Sequence, residues 1–355
     1  MNCIKGALFL LILLTKFTVS AQEKTLQSVA PFKVGCAINP YLLKTNKGYL
    51  NVVSNEFNSI TAENVLKFYS LHPKRDVFTF TMGDTVVNFA LANKKRMHGH
   101  CLVWHESAPK WLNEFEGDST SWDSILKTHI QTVLTHYKGK MTSWDVVNEA
   151  FFDDGNYRTE KSNATRKSDK IYWYNHLGAD YIAHAFQYAH EADPATLLFY
   201  NDYNQESSAA KLKAIIAMVT DFKQRGIPIH GLGLQMHINI KTKNEGIITM
   251  LKEVAKTGLL IHISELDISV NRHNDSTLVY NDSLKALQSE KFAFVVEQYK
   301  KLIPKKQQYG ITCWNVGDAD SWLVKWHKAK DWPLLFDKNY QRKECYTSFY
   351  NSLKK

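Results

Sequence analysis

The chain has 355 residues, 44% of them hydrophobic and 22% charged, with a formal net charge of +9. A chain of this length buries a large core without needing disulfides. Its basic residues are scattered, and the modest clusters at Lys94-Lys95-Arg96, Lys300-Lys301 and Lys305-Lys306 lack the density and aromatic interleaving of a nucleic-acid groove, so they read as solvated faces with at most a weak attraction for acidic polysaccharide.

From the N-terminus, Lys5, the apolar run Ala7–Leu14 and the small residues Val19-Ser20-Ala21 have the pattern of a secretory signal. Residues 1–21 are expected to be removed, the mature chain to begin at Gln22, and the protein to be secreted. Cys3 precedes the apolar run and is therefore no lipobox cysteine. No later run is long enough to span a membrane, so no membrane association is expected after cleavage. No linker or low-complexity stretch follows either, and residues 22–355 are expected to form one catalytic domain, working as a monomer. Cys36, Cys101 and Cys313 lie in apolar, strand-like segments and read as small hydrophobes; with Cys345 they show no spacing that argues for a disulfide. Asn163, Asn274 and Asn281 head glycosylation sequons in polar segments.

Eight strand-like segments follow in order: Phe32–Ile38, Phe57–Ala62, Arg96–Trp104, Met141–Glu149, Thr196–Asn201, Gly231–Ile238, Leu259–Asp267 and Tyr309–Asn315. Amphipathic stretches such as Tyr181–Glu191 and Ala209–Arg225 lie between them. Strands alternating with helices argue for a parallel sheet covered by helices. Eight such units fit a closed α/β barrel, the (β/α)8 or TIM fold, which places its chemistry at the C-terminal ends of its strands.

Polar residues gather at those ends. Glu149 and Glu265 each close an apolar run that reads as a buried strand. An ionised side chain there must be paired, neutralised or used, and two such carboxylates are what glycoside hydrolysis requires. After the second strand, Glu63, Asn64 and Lys67 can converge as the chain turns into a helix, mixing the donors and acceptors that a hydroxyl-rich ligand needs. The third strand carries His98-Gly-His100 and ends at Trp104-His105. His-x-His puts two rings on one face and is also a metal-ligand spacing. No partner segment completes a tetrahedral set, so His100 is read as a hydrogen-bonder to sugar and no cofactor is required. Trp104 suits a stacking platform. Asn148 adjoins Glu149; Gln235 and His237 share a face at i, i+2, as do Glu265 and Asp267, and Trp314 and Trp322 bracket a polar loop.

Taken together, these segments make the chain resemble glycoside hydrolase family 10, the retaining endo-β-1,4-xylanases, over nearly all its mature length. The matching segments are Ile60–Lys67, Leu102–His105, Trp144–Ala150, Tyr200–Asn204, Gly231–His237 and Ile263–Asp267. The resemblance implies that Glu149 is the acid/base and Glu265 the nucleophile, acting on internal bonds of xylan and xylo-oligosaccharides. It puts Asn148, Gln235 and His237 around the reacting sugar. Asn64, Lys67, His100 and Trp104 line the glycone side, and Trp314 and Trp322 wall the reacting subsite. Asn315 stands where the family usually has Gly, and is expected to reshape the loop up to Trp322; Ser264 stands where Thr is common. A retaining mechanism calls for carboxyl groups about 5–5.5 Å apart, with Glu149 raised by its neighbour's charge and Glu265 held low by hydrogen bonds. A β-1,4-glucanase on the same machinery is the enzymatic alternative, and a barrel that only binds polysaccharide the non-enzymatic one.

Overall fold

Ten parallel strands make the sheet at the centre of the computed structural model, which describes residues 24–159, 171, 173–325, 328 and 330–354. The expected signal segment and Asn163 lie outside the described residues. The strands are β1 (Lys33–Ile38), β2 (Ser59–Ala62), β3 (Arg96–Gly99), β4 (Val103–Trp104), β5 (Ser143–Asn148), β6 (Leu197–Asp202), β7 (Gly231–Leu234), β8 (His237–Asn239), β9 (Leu260–Ser269) and β10 (Gln308–Cys313). Neighbours run β10-β1-β2-β3-β5-β6-β7-β9, and β10 also pairs with β9, so the sheet closes on itself. Every pair is parallel.

Each of the eight expected segments contributes a stave. Two are split in a way that alternation of side chains does not reveal. The third breaks after Gly99, where the His100–Cys101 peptide is cis, and resumes as β4 against β5. The sixth breaks at Met236, which has φ +56°, and resumes as β8 against β9. Trp104 and His237, in the two resumed segments, both line one cavity.

Helices between the strands, such as 119–137, 181–192 and 282–302, bury an apolar face on the outside of the barrel. The four described cysteines are buried and free; Cys36 and Cys313 sit opposite each other on β1 and β10 without bonding. Among the described residues no helix is long and apolar enough to cross a membrane.

The barrel interior is polar as well as apolar. His98 Nδ1 lies 2.6 Å from Ser143 Oγ, and His262 Nε2 2.8 Å from Thr312 Oγ1. His98 Nε2 and His100 Nδ1 both approach Asp145 Oδ2, at 3.1 and 2.9 Å. The His-x-His alternation thus converges on a carboxylate of the neighbouring strand. Burial opposes ionisation of Asp145, but the two histidines outweigh it and hold the carboxyl well below the usual range.

Candidate active site

The C-terminal ends of the strands surround a cavity of about 770 Å³. Glu63, Asn64, Lys67, His100, Trp104, Asn148, Glu149, His237, Glu265, Trp314 and Trp322 all line it. Gln235 is the one residue of the expected set outside that lining. It is buried behind Glu149 and reaches the site through hydrogen bonds.

Glu149 follows β5 directly and has φ +56°, a conformation a non-glycine residue adopts only when its surroundings impose it. Its backbone is clamped on both sides: the N–H donates to Asn201 O (2.9 Å), and the carbonyl accepts from Arg158 Nε (2.8 Å). The side-chain Oε1 accepts from Gln235 Nε2 at 3.0 Å and Asn148 Nδ2 at 3.2 Å. The expectation that Glu149 is raised does not hold in this site. Burial pushes it up, but the charges of His105 and Arg158 and the bond from Gln235 outweigh that and leave it below the ordinary value.

Glu265 lies within β9 and is buried. Its Oε1 accepts from Asn201 Nδ2 at 2.6 Å, and His237 Nε2 stands 3.3 Å from Oε2. His237 Nδ1 is 2.8 Å from Asp267 Oδ2, so the ring is held between two carboxylates. Burial disfavours its charge, yet Asp267 and Glu265 win, and His237 is pushed up to about 10. At neutral pH it is an imidazolium with both N–H groups committed to carboxylates.

Asn201 lies in the matching segment Tyr200–Asn204, and nothing in its local sequence marks it as a partner of the carboxylates. It donates to both Glu265 and Asn148 Oδ1 (2.8 Å), while Asn148 donates to Glu149, so amides join the two carboxylates. Ser264, in the place where Thr is common, donates to Asn201 Oδ1 at 2.6 Å and fixes that amide's orientation, a task either hydroxyl performs. Tyr203, Asn204, Asp153, Glu106, Ser107 and Arg272 also line the cavity and are not among the expected site residues. They lie on loops, where strand periodicity carries no signal.

Aromatic rings and a cation enclose the β2 side. Lys67 Nζ donates to Asn64 Oδ1 (3.0 Å) and stands 4.9 Å from the Trp104 ring centroid and 5.8 Å from that of Trp314. Trp322 Nε1 donates to Asp267 Oδ2 at 2.6 Å. Asn315, where Gly is usual, has φ +79°, and its Oδ1 accepts from the Trp322 N–H at 2.9 Å. The amide thus ties the end of β10 to the loop residue it was expected to affect.

A barrel with paired carboxylates at its mouth, amide donors between them and tryptophan walls can protonate, attack and stack a sugar. Comparison with known proteins gives the same direction. Endo-beta-1,4-xylanase Xyn10C of Cellvibrio japonicus is 36% identical over 368 residues, covering 96% of this chain and 60% of that protein. Exoglucanase XynX of Acetivibrio thermocellus is 37% identical over 329 residues, covering 89% of this chain and 28% of its own. The chain therefore spans less than two thirds of the length of these two curated relatives. Among solved structures, native xylanase 10B from Thermotoga maritima superposes with a TM-score of 0.84 at 33% identity, over 93% of this chain and 98% of that one. The model of glycosyl hydrolase family 10 matches residues 23–352, and the chain belongs to that family.

Proposed function

We propose that this chain is a secreted endo-1,4-β-xylanase, cleaving internal β-1,4-xylosidic bonds of xylan by double displacement with retention. The observation that carries the reading is the pairing of Glu149 and Glu265 across one cavity, joined by Asn148 and Asn201. Glu149 is the acid/base and Glu265 the nucleophile. Protonated Glu149 gives its proton to the leaving oxygen while a Glu265 oxygen bonds to the anomeric carbon and the glycosidic bond breaks. Glu149, now ionised, takes a proton from water, which opens the glycosyl ester and frees Glu265. Asn201 and the His237 imidazolium, each with an N–H facing a Glu265 oxygen, hold that carboxylate in place for attack. Trp314 and Trp322 wall the reacting sugar, and Asn64, Lys67 and Trp104 hold the glycone.

The relatives named xylanases support the substrate, and the one named exoglucanase favours a second reading, a β-1,4-glucanase with the same chemistry. Reducing-sugar release from xylan and from soluble cellulose, with Glu265→Ala alongside, separates them. Release from xylan that vanishes in the variant is expected. Release mainly from cellulose overturns the substrate, and full activity in Glu265→Ala overturns the nucleophile. Glu149→Ala should still form the ester from substrates with good leaving groups, stall at its hydrolysis and recover turnover with azide. Failure of azide to rescue it reassigns the acid/base.

A further inference from the structure

A second cavity of about 910 Å³ adjoins the catalytic one. Arg272 lines both, and Gln205 and Glu206 of the second follow directly on Tyr203 and Asn204 of the first. Its walls come from the segments after β6, β8 and β9. In the closed barrel these lie across the mouth from Glu63, Asn64 and Lys67, which follow β2. With the glycone held on the β2 side, the second cavity lies on the leaving-group side of the bond to be broken.

Two sets of its polar groups bear on a ligand. Gln205 and Glu206 are buried, and Gln205 Oε1 and Glu206 Oε2 have no hydrogen-bond partner among the described residues. Buried acceptors left unpaired are costly, and hydroxyl donors of a ligand relieve that cost. Lys241, Lys243 and Arg272 are exposed at the rim, and none is within ion-pairing distance of a carboxylate among the described residues. Glu206, Glu245 and Asp275 line the same cavity, but none of them is ion-paired with these three cations. Asp275 accepts from the N–H and hydroxyl of Thr277 within its own turn (2.8 and 2.6 Å), burial pushes Glu206 up, and Glu245 stands exposed in the first turn of helix 244–256. That helix starts at the cavity with no side-chain cap from Lys243, so its leading N–H groups add to a field that favours an anion. A neutral pentose chain has no use for three unpaired cations beside its path.

We propose that this cavity binds a uronic-acid branch on the leaving-group portion of the polysaccharide, its carboxylate taken by Lys241, Lys243 and Arg272 and its hydroxyls by Gln205 and Glu206. This rests on the reading of the neighbouring site as one that cleaves a xylan backbone. The enzyme would then select acid-branched stretches of chain rather than merely tolerate them.

The test uses the double variant Lys241→Ala/Lys243→Ala, which leaves the catalytic cavity untouched. The probes are two xylo-oligosaccharides of equal backbone length, one carrying a single glucuronic acid and one unbranched. In kcat/KM the variant should lose about tenfold on the branched probe and stay within about twofold of wild type on the unbranched one, with the wild-type preference shrinking as salt is added. Equal effects on both probes, or none on either, overturn the proposal. Calorimetric titration of both proteins with the branched probe separates this from the function reading. If wild type cleaves neither probe, the xylan reading fails; Lys241- and Lys243-dependent binding then still supports an acidic-sugar site, and absence of such binding overturns it.

Discussion

Glu149 accepts from Asn148 and Gln235, and the charges of His105 and Arg158 lower its carboxyl. These hold it ionised, whereas the first chemical step needs its proton. A bound sugar chain expels water and leaves Glu149 facing the charge of Glu265 in a drier site, which raises the carboxyl. Since kcat/KM reports the free enzyme and kcat the complex, the alkaline fall of kcat should lie at higher pH than that of kcat/KM. Coincident limbs on one substrate would show that binding does not shift Glu149. His237 behaves oppositely: pushed up to about 10, it keeps its charge throughout this range and stays locked between Glu265 and Asp267.

The strands do more than carry the carboxylates to the mouth; they set how closely neighbouring backbones approach. Gly233 of β7 pairs with Asn201 of β6, and a Cβ added there would lie 2.1 Å from Asn201 Oδ1. The missing side chain makes room for the amide that holds Glu265. Gly233→Ala should displace Asn201 and lower kcat/KM by about 100-fold, as a misplaced reacting group does. Asn201→Ala should do the same, and the double variant should be no worse than either alone. Additive losses in that cycle would place the cost of Gly233→Ala somewhere other than Asn201.

At the scale of the molecule, stability has its own acid sensitivity outside the cavity. His72 and His129 are buried in a stack of rings: His72 lies 4.0 Å from Phe78, His129 3.6 Å from Phe68, and the two imidazoles are parallel at 5.6 Å. Burial pushes His72 down to about 4 and His129 well below its ordinary value. The unfolded chain takes up these protons near pH 6.5, before the folded one does, so the contribution of His72 is complete above pH 6.5 and is lost as pH falls through 4. For His72 this amounts to on the order of 3 kcal/mol. His72→Phe keeps an aromatic ring in the stack without the titration. Its unfolding midpoint should fall less steeply than that of wild type between pH 6.5 and 4; parallel curves would rule His72 out as a source of acid lability.

Strand alternation, apolar runs ending in glutamates and tryptophans at strand ends were legible in the sequence because they are local. Side chains at i, i+2 share a face whatever the rest of the chain does, so the eight staves and most of the cavity lining could be named beforehand. Asn201, Asp145 and Gly233 matter through what neighbouring strands bring against them. The sign of the Glu149 shift likewise depends on Arg158 and His105, brought close only when the loop after β5 and the end of β4 fold over it. The second cavity belongs to that class too, formed by three loops separate in sequence and adjacent only because β6, β7 and β9 are neighbours in the closed barrel. Periodicity along one chain determined which residues face the mouth; closure of the sheet decided which of them meet, because distance and desolvation between strands are set by packing and not by spacing in sequence.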